Sequence, residues 1–167
     1  MPSSPYRFCP LCATPLTSAE RGGRWRAHCP HCGWVHYRNP TVGVAVAVVE
    51  EGRLLLGRRT ATAGFGAGLW CIPCGHVEWD EEVRAAAIRE FREETGLDVE
   101  LTGLLTVESN RHSPHQTVGI WFRGRRTGGA LQAGDDLCEL AFFELTAPLP
   151  PLAFPTDAVA IQRLREP

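Results

Sequence analysis

The chain has 167 residues, of which 44% are hydrophobic and 22% charged, so it is long enough for a buried core and is not a disordered polypeptide. Its net charge of −2 argues against a nucleic-acid-coating protein, and because all 17 basic residues are arginines, lysine chemistry is excluded. The longest apolar run, residues 42–49, is too short to span a membrane, and no secretory signal begins the chain, so we expect a cytoplasmic protein.

Four cysteines near the start of the chain form two Cys-x-x-Cys pairs, Cys9 with Cys12 and Cys29 with Cys32, separated by 16 residues. This spacing is typical of a site in which four thiolates surround one tetrahedral zinc ion. Two disulfides are the alternative, which a reducing compartment disfavours. We therefore predict a small zinc ribbon over residues 1–38, with one structural Zn²⁺, because four protein ligands leave no open position for chemistry.

The three remaining cysteines do not complete a second metal site. Cys71 and Cys74 form a third Cys-x-x-Cys pair without a partner pair, and we interpret this spacing as a coincidence. Cys138 lies in a strand-like run and is predicted to be a small core residue.

Asn39-Pro40 marks a boundary, after which strands and helices alternate. A strand over residues 41–50 and a second over 53–59 are joined by a Glu51-Gly52 turn and followed by a small-residue loop. Asp80 is predicted to cap a helix that begins near Glu81 and ends at Gly96. The other predicted elements are strands over residues 97–107, 117–123 and 137–145 and a helix over residues 156–164. This order predicts an α/β sandwich with a mixed sheet.

Three carboxylates share one stripe of the first predicted helix. Glu90, Glu93 and Glu94 fall within about 100° of one another around the helix axis. Clustered hard oxygen ligands suit Mg²⁺ or Mn²⁺, which complete their shells with water and substrate phosphates. A solvated acidic face paired with arginines is the alternative interpretation.

The wider pattern is more specific than the stripe alone. Gly75 is followed after five residues by Glu81 and after seven more by Arg-Glu-Phe-Arg-Glu-Glu-Thr-Gly-Leu, residues 89–97. This is similar to the Nudix box, and the chain resembles Nudix hydrolases over residues 39–167. The resemblance implies an α/β/α sandwich and hydrolysis of a diphosphate linkage in a nucleoside diphosphate joined to another group.

The resemblance also implies roles for residues of the catalytic helix. Glu90, Glu93 and Glu94 would hold the Mg²⁺ or Mn²⁺ ions, and Glu93 is a candidate base for the attacking water. Arg89 would orient these carboxylates by pairing with them. We predict that metal and arginine meet the developing charge, since the chain has no lysine.

Further implied roles lie around this helix. Gly75 would allow the backbone to approach the metal, Glu81 would cap and order the loop–helix junction, and Gly96 would end the helix. Glu139 occupies a position where some relatives supply an extra ligand or base, with a surface glutamate as the equal alternative. Cys74 stands where relatives commonly have glycine, and the contact expected there is a main-chain carbonyl.

The substrate is less defined than the reaction. A zinc ribbon before a Nudix domain resembles the NADH pyrophosphatase and ADP-ribose pyrophosphatase branches, although residues 109–116 lack the signature of the former. We favour ADP-ribose or an NADH-like dinucleotide over a damaged nucleoside triphosphate. Residues 109–116 are predicted to form a loop, in which Arg111, His112 and His115 either contact phosphate or ribose or are solvated.

Two non-catalytic alternatives remain. A nucleotide-sensing regulator is disfavoured because the box is intact and no added DNA-binding domain is visible. A nucleic-acid or protein adaptor would use the ribbon arginines with Trp25 and Trp34, and a salt-sensitive affinity would support it. We expect a small-molecule nucleotide as the main partner, no membrane and no nucleic acid, and a homodimer is left open.

Overall fold

The computed structural model describes residues 4–112 and 115–166, with the side chains of residues 111, 112 and 115 outside that description. The chain divides between Asn39 and Pro40 into two compact units, which we call the ribbon unit and the sandwich unit. No helix among the described residues is long and apolar enough to cross a membrane.

The ribbon unit is built on one antiparallel hairpin. Strand β1 (Thr17–Arg21) pairs with β2 (Arg24–His28) through the two-residue turn Gly22-Gly23. Both turn residues have positive φ, +58° and +70°, the combination that a type I′ turn requires and glycine adopts without strain. The hairpin therefore fixes the distance between the two cysteine pairs that flank it.

The ribbon unit has almost no hydrophobic core. Among its described residues, 4–39, the buried hydrophobic ones are Cys9, Ala27 and Cys29. Beside them, the rings of Tyr6, Trp34 and His36 pack together, with Trp34 and His36 stacked at an interplanar angle of 11°. So little apolar burial leaves the fold of this unit dependent on its cysteines.

The sandwich unit contains a seven-stranded mixed sheet with two helices. Its helices are α1 (Val83–Thr95) and α2 (Pro155–Arg165). The strands are β3 (Thr41–Glu50), β4 (Arg53–Arg59), β5 (Trp70–Cys71), β6 (Cys74–His76), β7 (Leu97–His112), β8 (His115–Gly129) and β9 (Leu137–Glu144). The order is β5-β4-β3-β8-β7, with β6 paired to β3 and β9 to β4, and only β3 and β8 run parallel among these pairs.

Central strand β3 separates two hydrophobic cores. Because successive side chains of a strand point to opposite faces, its valines and its alanines belong to different cores. Val44, Val46 and Val48 pack with Phe91 of α1, whereas Ala45 and Ala47 pack with Ile161 of α2. A helix thus covers each face, and the predicted α/β/α sandwich is confirmed.

Strands β7 and β8 are longer than predicted. Their pairing runs from Leu97 opposite Gly129 to His112 opposite His115, so residues 109–112, predicted as loop, are strand. The polar run Glu108-Ser-Asn-Arg-His ends the hydrophobic pattern before the backbone pairing ends. The predicted phosphate or ribose contacts of Arg111, His112 and His115 lie outside the described side chains.

Two local predictions were wrong. Glu82, and not Asp80, caps α1, because its carboxylate accepts hydrogen bonds from the backbone N–H groups of Arg84 and Ala85 at 2.8 and 3.1 Å. Cys138 is exposed rather than in the core. It follows the buried Leu137 on a strand, where the next side chain points to the opposite face.

Candidate active site

A cleft of about 340 Å³ opens on the sandwich unit, within the size range of small-molecule sites. Strands β3, β6 and β8 form one part of its lining, and Glu90 and Glu94 of α1 form another. The segment before β9 and the start of α2 complete it with Asp136, Thr156 and Asp157. Carboxylates from three separate elements therefore meet in one cleft.

Gly75 makes room for Glu90. A Cβ atom at position 75 would lie 2.0 Å from the Glu90 Cδ atom and 2.1 Å from its Oε2, closer than real contacts allow. Only glycine lets the β6 backbone approach this carboxylate so closely. The residue that Gly75 accommodates in the structure is a carboxylate of α1, and the predicted approach of its backbone to a metal stays a prediction.

Glu94 is the most deeply buried carboxylate of the helix. Its side chain is 1% exposed and accepts a hydrogen bond of 2.7 Å from the backbone N–H of Cys74. Burial raises the pKa of Glu94 well above its ordinary value, and the nearby Cys71 and Asp136 raise it further. A cation beside this buried carboxylate would stabilise its charged form and so offset the cost of burying it.

Arg89 connects the carboxylates around the helix. Its guanidinium donates to Glu81 Oε1 and Oε2 at 2.8 and 2.7 Å, and also to Glu93 Oε2 at 3.0 Å. It lies 3.0 Å from Glu90 Oε1 as well. The bidentate pair with Glu81 raises the pKa of Arg89 and lowers the pKa of Glu81. Glu81 therefore contacts the helix through Arg89, and the cap predicted at Glu81 is supplied by Glu82 instead.

Glu93 and Glu139, unlike Glu90 and Glu94, lie outside the lining of the cleft. The Glu93 side chain is 52% exposed and is held by Arg89, and it is not part of the described cleft lining. Glu139 lies on β9, where its carboxylate is 3.3 Å from Arg58, and it too is outside that lining. Gly96 ends α1 with φ of +69°, the left-handed cap that the sequence predicts.

The structure adds residues that the sequence pattern did not identify. Asp136 pairs with Arg59 at 2.7 Å, yet its Oδ1 atom is buried without a hydrogen-bond partner among the described residues. The same holds for Oγ1 of Thr156, which also lines the cleft. Asp157 is buried and accepts hydrogen bonds from Trp121 Nε1 and from the backbone N–H of Ile72. These residues are distant from the box in sequence, so its spacing gave no signal for them.

The four ribbon cysteines form a separate cluster. Their Sγ atoms all lie within 4.8 Å of one another, with Cys9–Cys32 and Cys12–Cys29 separations of 3.5 Å each. The Thr14 hydroxyl, 3.3 Å from Cys12 Sγ, lowers the pKa of that thiol to about 5 and favours the thiolate that zinc needs. Among the described residues, no other set of three ligand atoms is gathered so tightly.

Two known protein families together match almost the whole chain. The NUDIX domain family matches residues 38–164, and the zinc-ribbon family described as Nudix N-terminal matches residues 7–38. A crystal structure of a Nudix hydrolase from Nitrosomonas europaea superposes with a TM-score of 0.79 at 28% identity, covering 94% of this chain and 89% of that one. The ribbon and the sandwich thus occur together in relatives.

Curated relatives differ in length and in what they act on. An ADP-ribose pyrophosphatase of Methanocaldococcus jannaschii is 35% identical over 131 residues, covering 77% of this chain and 76% of that protein. An NAD-capped RNA hydrolase of Chromobacterium violaceum is 42% identical over 96 residues, covering 56% of this chain and 34% of the relative. The chain therefore spans about a third of the matched RNA hydrolase. On the family match and the shared architecture, this chain belongs to the Nudix hydrolases.

Proposed function

We propose that the chain is a divalent-cation-dependent pyrophosphohydrolase that cleaves ADP-ribose or a similar nucleoside diphosphate joined to a second group. The observation that carries this proposal is the cleft in which Glu90 of the box helix lies against Gly75 and Glu94 accepts a hydrogen bond from the backbone N–H of Cys74. The ADP-ribose pyrophosphatase relative supports ADP-ribose as the first substrate to test, because its alignment spans three quarters of both chains.

The donor set fits Mg²⁺ or Mn²⁺. Glu90 and Glu94 offer hard carboxylate oxygens at the cleft wall, and Glu93 lies one turn from Glu90 on the same helix. Arg89 lies 3.0 Å from both Glu90 and Glu93, so it would orient these two carboxylates toward a cation held by the helix. When bound, the cation neutralises the diphosphate and lowers the pKa of a coordinated water.

The other steps fall to the side chains. Glu93, and as an alternative Glu139, takes the proton of the attacking water, while Arg89 orients the carboxylates. Asp136 is a third candidate for this proton, since it lines the cleft near Glu94 and its buried Oδ1 atom has no hydrogen-bond partner among the described residues. Attack of water on one phosphorus breaks the diphosphate bridge, and ADP-ribose yields AMP and ribose 5-phosphate.

Two buried polar atoms of cleft-lining residues, Asp136 Oδ1 and Thr156 Oγ1, support a polar ligand. Asp136 Oδ1 needs a donor, whereas the Thr156 hydroxyl both donates and accepts. Buried polar atoms without partners cost free energy unless a ligand satisfies them. Hydroxyl or amino groups of the nucleotide would meet this need.

A hydrolysis panel tests the proposal. Zinc-loaded protein is assayed with Mg²⁺ or Mn²⁺ against ADP-ribose, NADH, NAD-capped RNA and nucleoside triphosphates, and the products are identified by mass spectrometry. We expect AMP from ADP-ribose and no turnover in chelator. A preference for triphosphates would replace the substrate assignment, and the absence of any cation-dependent hydrolysis would reject the function. Oxygen-18 water identifies the phosphorus attacked.

A further inference from the structure

One face of the ribbon hairpin carries an unbalanced group of arginines. Arg21 lies directly opposite Arg24 across the hairpin, and Arg26 lies opposite Ala19. Because cross-strand partners share a face and alternate residues point the same way, Arg21, Arg24 and Arg26 project from one side. Placing like charges opposite each other destabilises a hairpin, so this face carries an unfavourable charge arrangement.

No acidic side chain offsets these arginines within the ribbon. Glu20 is the one acidic residue before Pro40, and it pairs in register with Trp25 on the opposite face. None of the ion pairs among residues 4–112 and 115–166 involves Arg21, Arg24 or Arg26. Arg21 and Arg26 instead donate to the backbone oxygens of Glu20 and Arg21, which holds both arginines without neutralising them.

An aromatic ring completes this surface. The guanidinium carbon of Arg26 lies 5.0 Å from the centroid of the Tyr37 ring, and Tyr37 is 60% exposed. An exposed ring beside guanidinium groups is the combination on which unpaired bases stack while arginines bind the phosphates. A duplex offers no free base face to such a ring, so the surface favours a single strand.

The net charge of the whole chain does not reveal this basic face, because the two segments carry opposite net charges. Residues 1–39 hold five arginines and one glutamate, whereas residues 40–167 hold twelve arginines and eighteen acidic residues. One Zn²⁺ with four thiolates contributes −2, which still leaves the first segment at about +2. The net charge of −2 is therefore the sum of a basic unit and an acidic one.

From this arrangement we propose that the surface formed by the hairpin residues Arg21, Arg24 and Arg26, with Tyr37 beside Arg26, binds a single-stranded nucleic acid, with the arginines on its phosphates and Tyr37 against a base. We call it the arginine face. The inference does not rest on the proposed hydrolysis, because binding is measured without substrate or divalent cation.

Fluorescence anisotropy of the full, zinc-loaded chain with a labelled single-stranded oligouridylate of about twelve nucleotides tests this proposal. At about 25 mM salt we expect saturable binding, with log affinity falling against log salt at a slope of roughly −2, about 0.7 per phosphate contact. The triple variant R21A/R24A/R26A should lose at least about tenfold in affinity and most of that slope.

A matched control removes three arginines from elsewhere. Arg53, Arg125 and Arg163 each pair with a glutamate on the sandwich unit, and the variant R53A/R125A/R163A should retain binding. Tyr37→Leu should weaken binding by roughly tenfold while leaving the salt slope unchanged. Zinc content measured on every variant shows that the ribbon is folded.

Several results would overturn the proposal. These are no binding at low salt, equal affinity of R21A/R24A/R26A and the unmodified chain, or equal affinity for a duplex of the same length. Binding of anionic lipid vesicles in preference to the oligonucleotide would assign the arginine face to a membrane surface instead.

Discussion

The two units of this protein are stabilised in opposite ways. The sandwich unit buries the side chains of two hydrophobic cores between its sheet and helices, whereas the ribbon unit buries little beyond Cys9, Ala27 and Cys29. The sandwich is acidic and places buried carboxylates in its cleft, while the ribbon is basic and places arginines on its surface. Apolar burial allows the sandwich unit to tolerate repulsion between carboxylates in its cleft, whereas the ribbon unit buries so little apolar surface that we expect its fold to depend on its four cysteines and the zinc ion they are predicted to bind.

Removing the zinc site should have the largest effect on stability, and this effect should be confined to the ribbon unit. Cys29 is fully buried in the thiolate cluster, and structural zinc contributes on the order of 10 kcal/mol to such folds. We expect Cys29→Ser to abolish binding of about one zinc per chain and the hydrogen-exchange protection of the ribbon hairpin. Protection of the sandwich strands should persist.

Cys138→Ser is the control for this experiment, because Cys138 is an exposed cysteine outside the cluster. Elemental analysis measures zinc, and exchange mass spectrometry measures protection. Zinc retained at full stoichiometry in Cys29→Ser, or none in the unmodified chain, would contradict the ribbon assignment.

The next effect concerns chemistry in the sandwich alone. Glu93→Gln removes a candidate base and metal ligand while keeping the shape of the side chain, so turnover should fall by roughly 10²- to 10⁴-fold. The fold should persist because the Glu93 side chain is half-exposed. Steady-state hydrolysis of ADP-ribose and the unfolding midpoint measure the two quantities.

Glu100→Gln serves as the matched control, since Glu100 is an exposed glutamate paired with Arg125. A rate for Glu93→Gln close to that of the control would remove Glu93 from the catalytic set. Asp136→Asn would then be the variant to examine, because Asp136 lines the cleft and its Oδ1 atom has no hydrogen-bond partner among the described residues.

Gly75→Ala tests the geometry of the sandwich cleft by adding a single methyl group. The added Cβ would overlap Glu90 at 2.0 Å, so the carboxylate must move out of its position. We expect a loss of about 10²-fold in kcat, because small displacements at a reacting centre have effects of this size. Gly103→Ala is the control, as a Cβ there meets no atom within 4 Å. Equal rates for the two variants would show that Glu90 need not stay beside Gly75.

Patterns with a fixed spacing could be predicted from the sequence. The four cysteines and the box carboxylates follow from local geometry, since a metal knuckle and a helix stripe are each defined within a few residues. The sandwich followed from the order of strands and helices and from the resemblance, and its two cores agree with it.

Contacts made by long-range packing could not be predicted in this way. Asp136 and Thr156 enter the cleft only because β9 pairs with β4 in the sheet and α2 packs on its face, and no spacing links them to Glu90. The cap on α1 was misassigned by two residues because Asp80 and Glu82 are both plausible acceptors in sequence, and only the backbone geometry selects Glu82. The charge difference between the units was hidden because net charge is an average over the chain.

The smallest predicted effect is a pH dependence confined to the sandwich. Burial raises the pKa of Asp157 from 3.8 to about 7, although hydrogen bonds from Trp121 and Ile72 oppose the rise. Since the folded pKa exceeds the unfolded one, the folded state holds a proton that the unfolded state releases above about pH 4. The free energy of unfolding should therefore fall as the pH rises from about 4 to 7, by roughly 2–4 kcal/mol at most.

Denaturant titrations of the unmodified chain and of Asp157→Asn between about pH 4 and pH 8 measure this pH dependence of the free energy of unfolding. The variant cannot release the proton, so its stability should change less over this range. It should also be less stable at low pH by about 1 kcal/mol, because its amide nitrogen cannot accept one of the two hydrogen bonds. Asp98→Asn, at an exposed aspartate paired with Arg92, should retain the pH dependence of the unmodified chain. Identical pH profiles for all three proteins would mean that Asp157 is ionised in both states, and that the sandwich core, unlike the ribbon surface, accommodates its charge without cost.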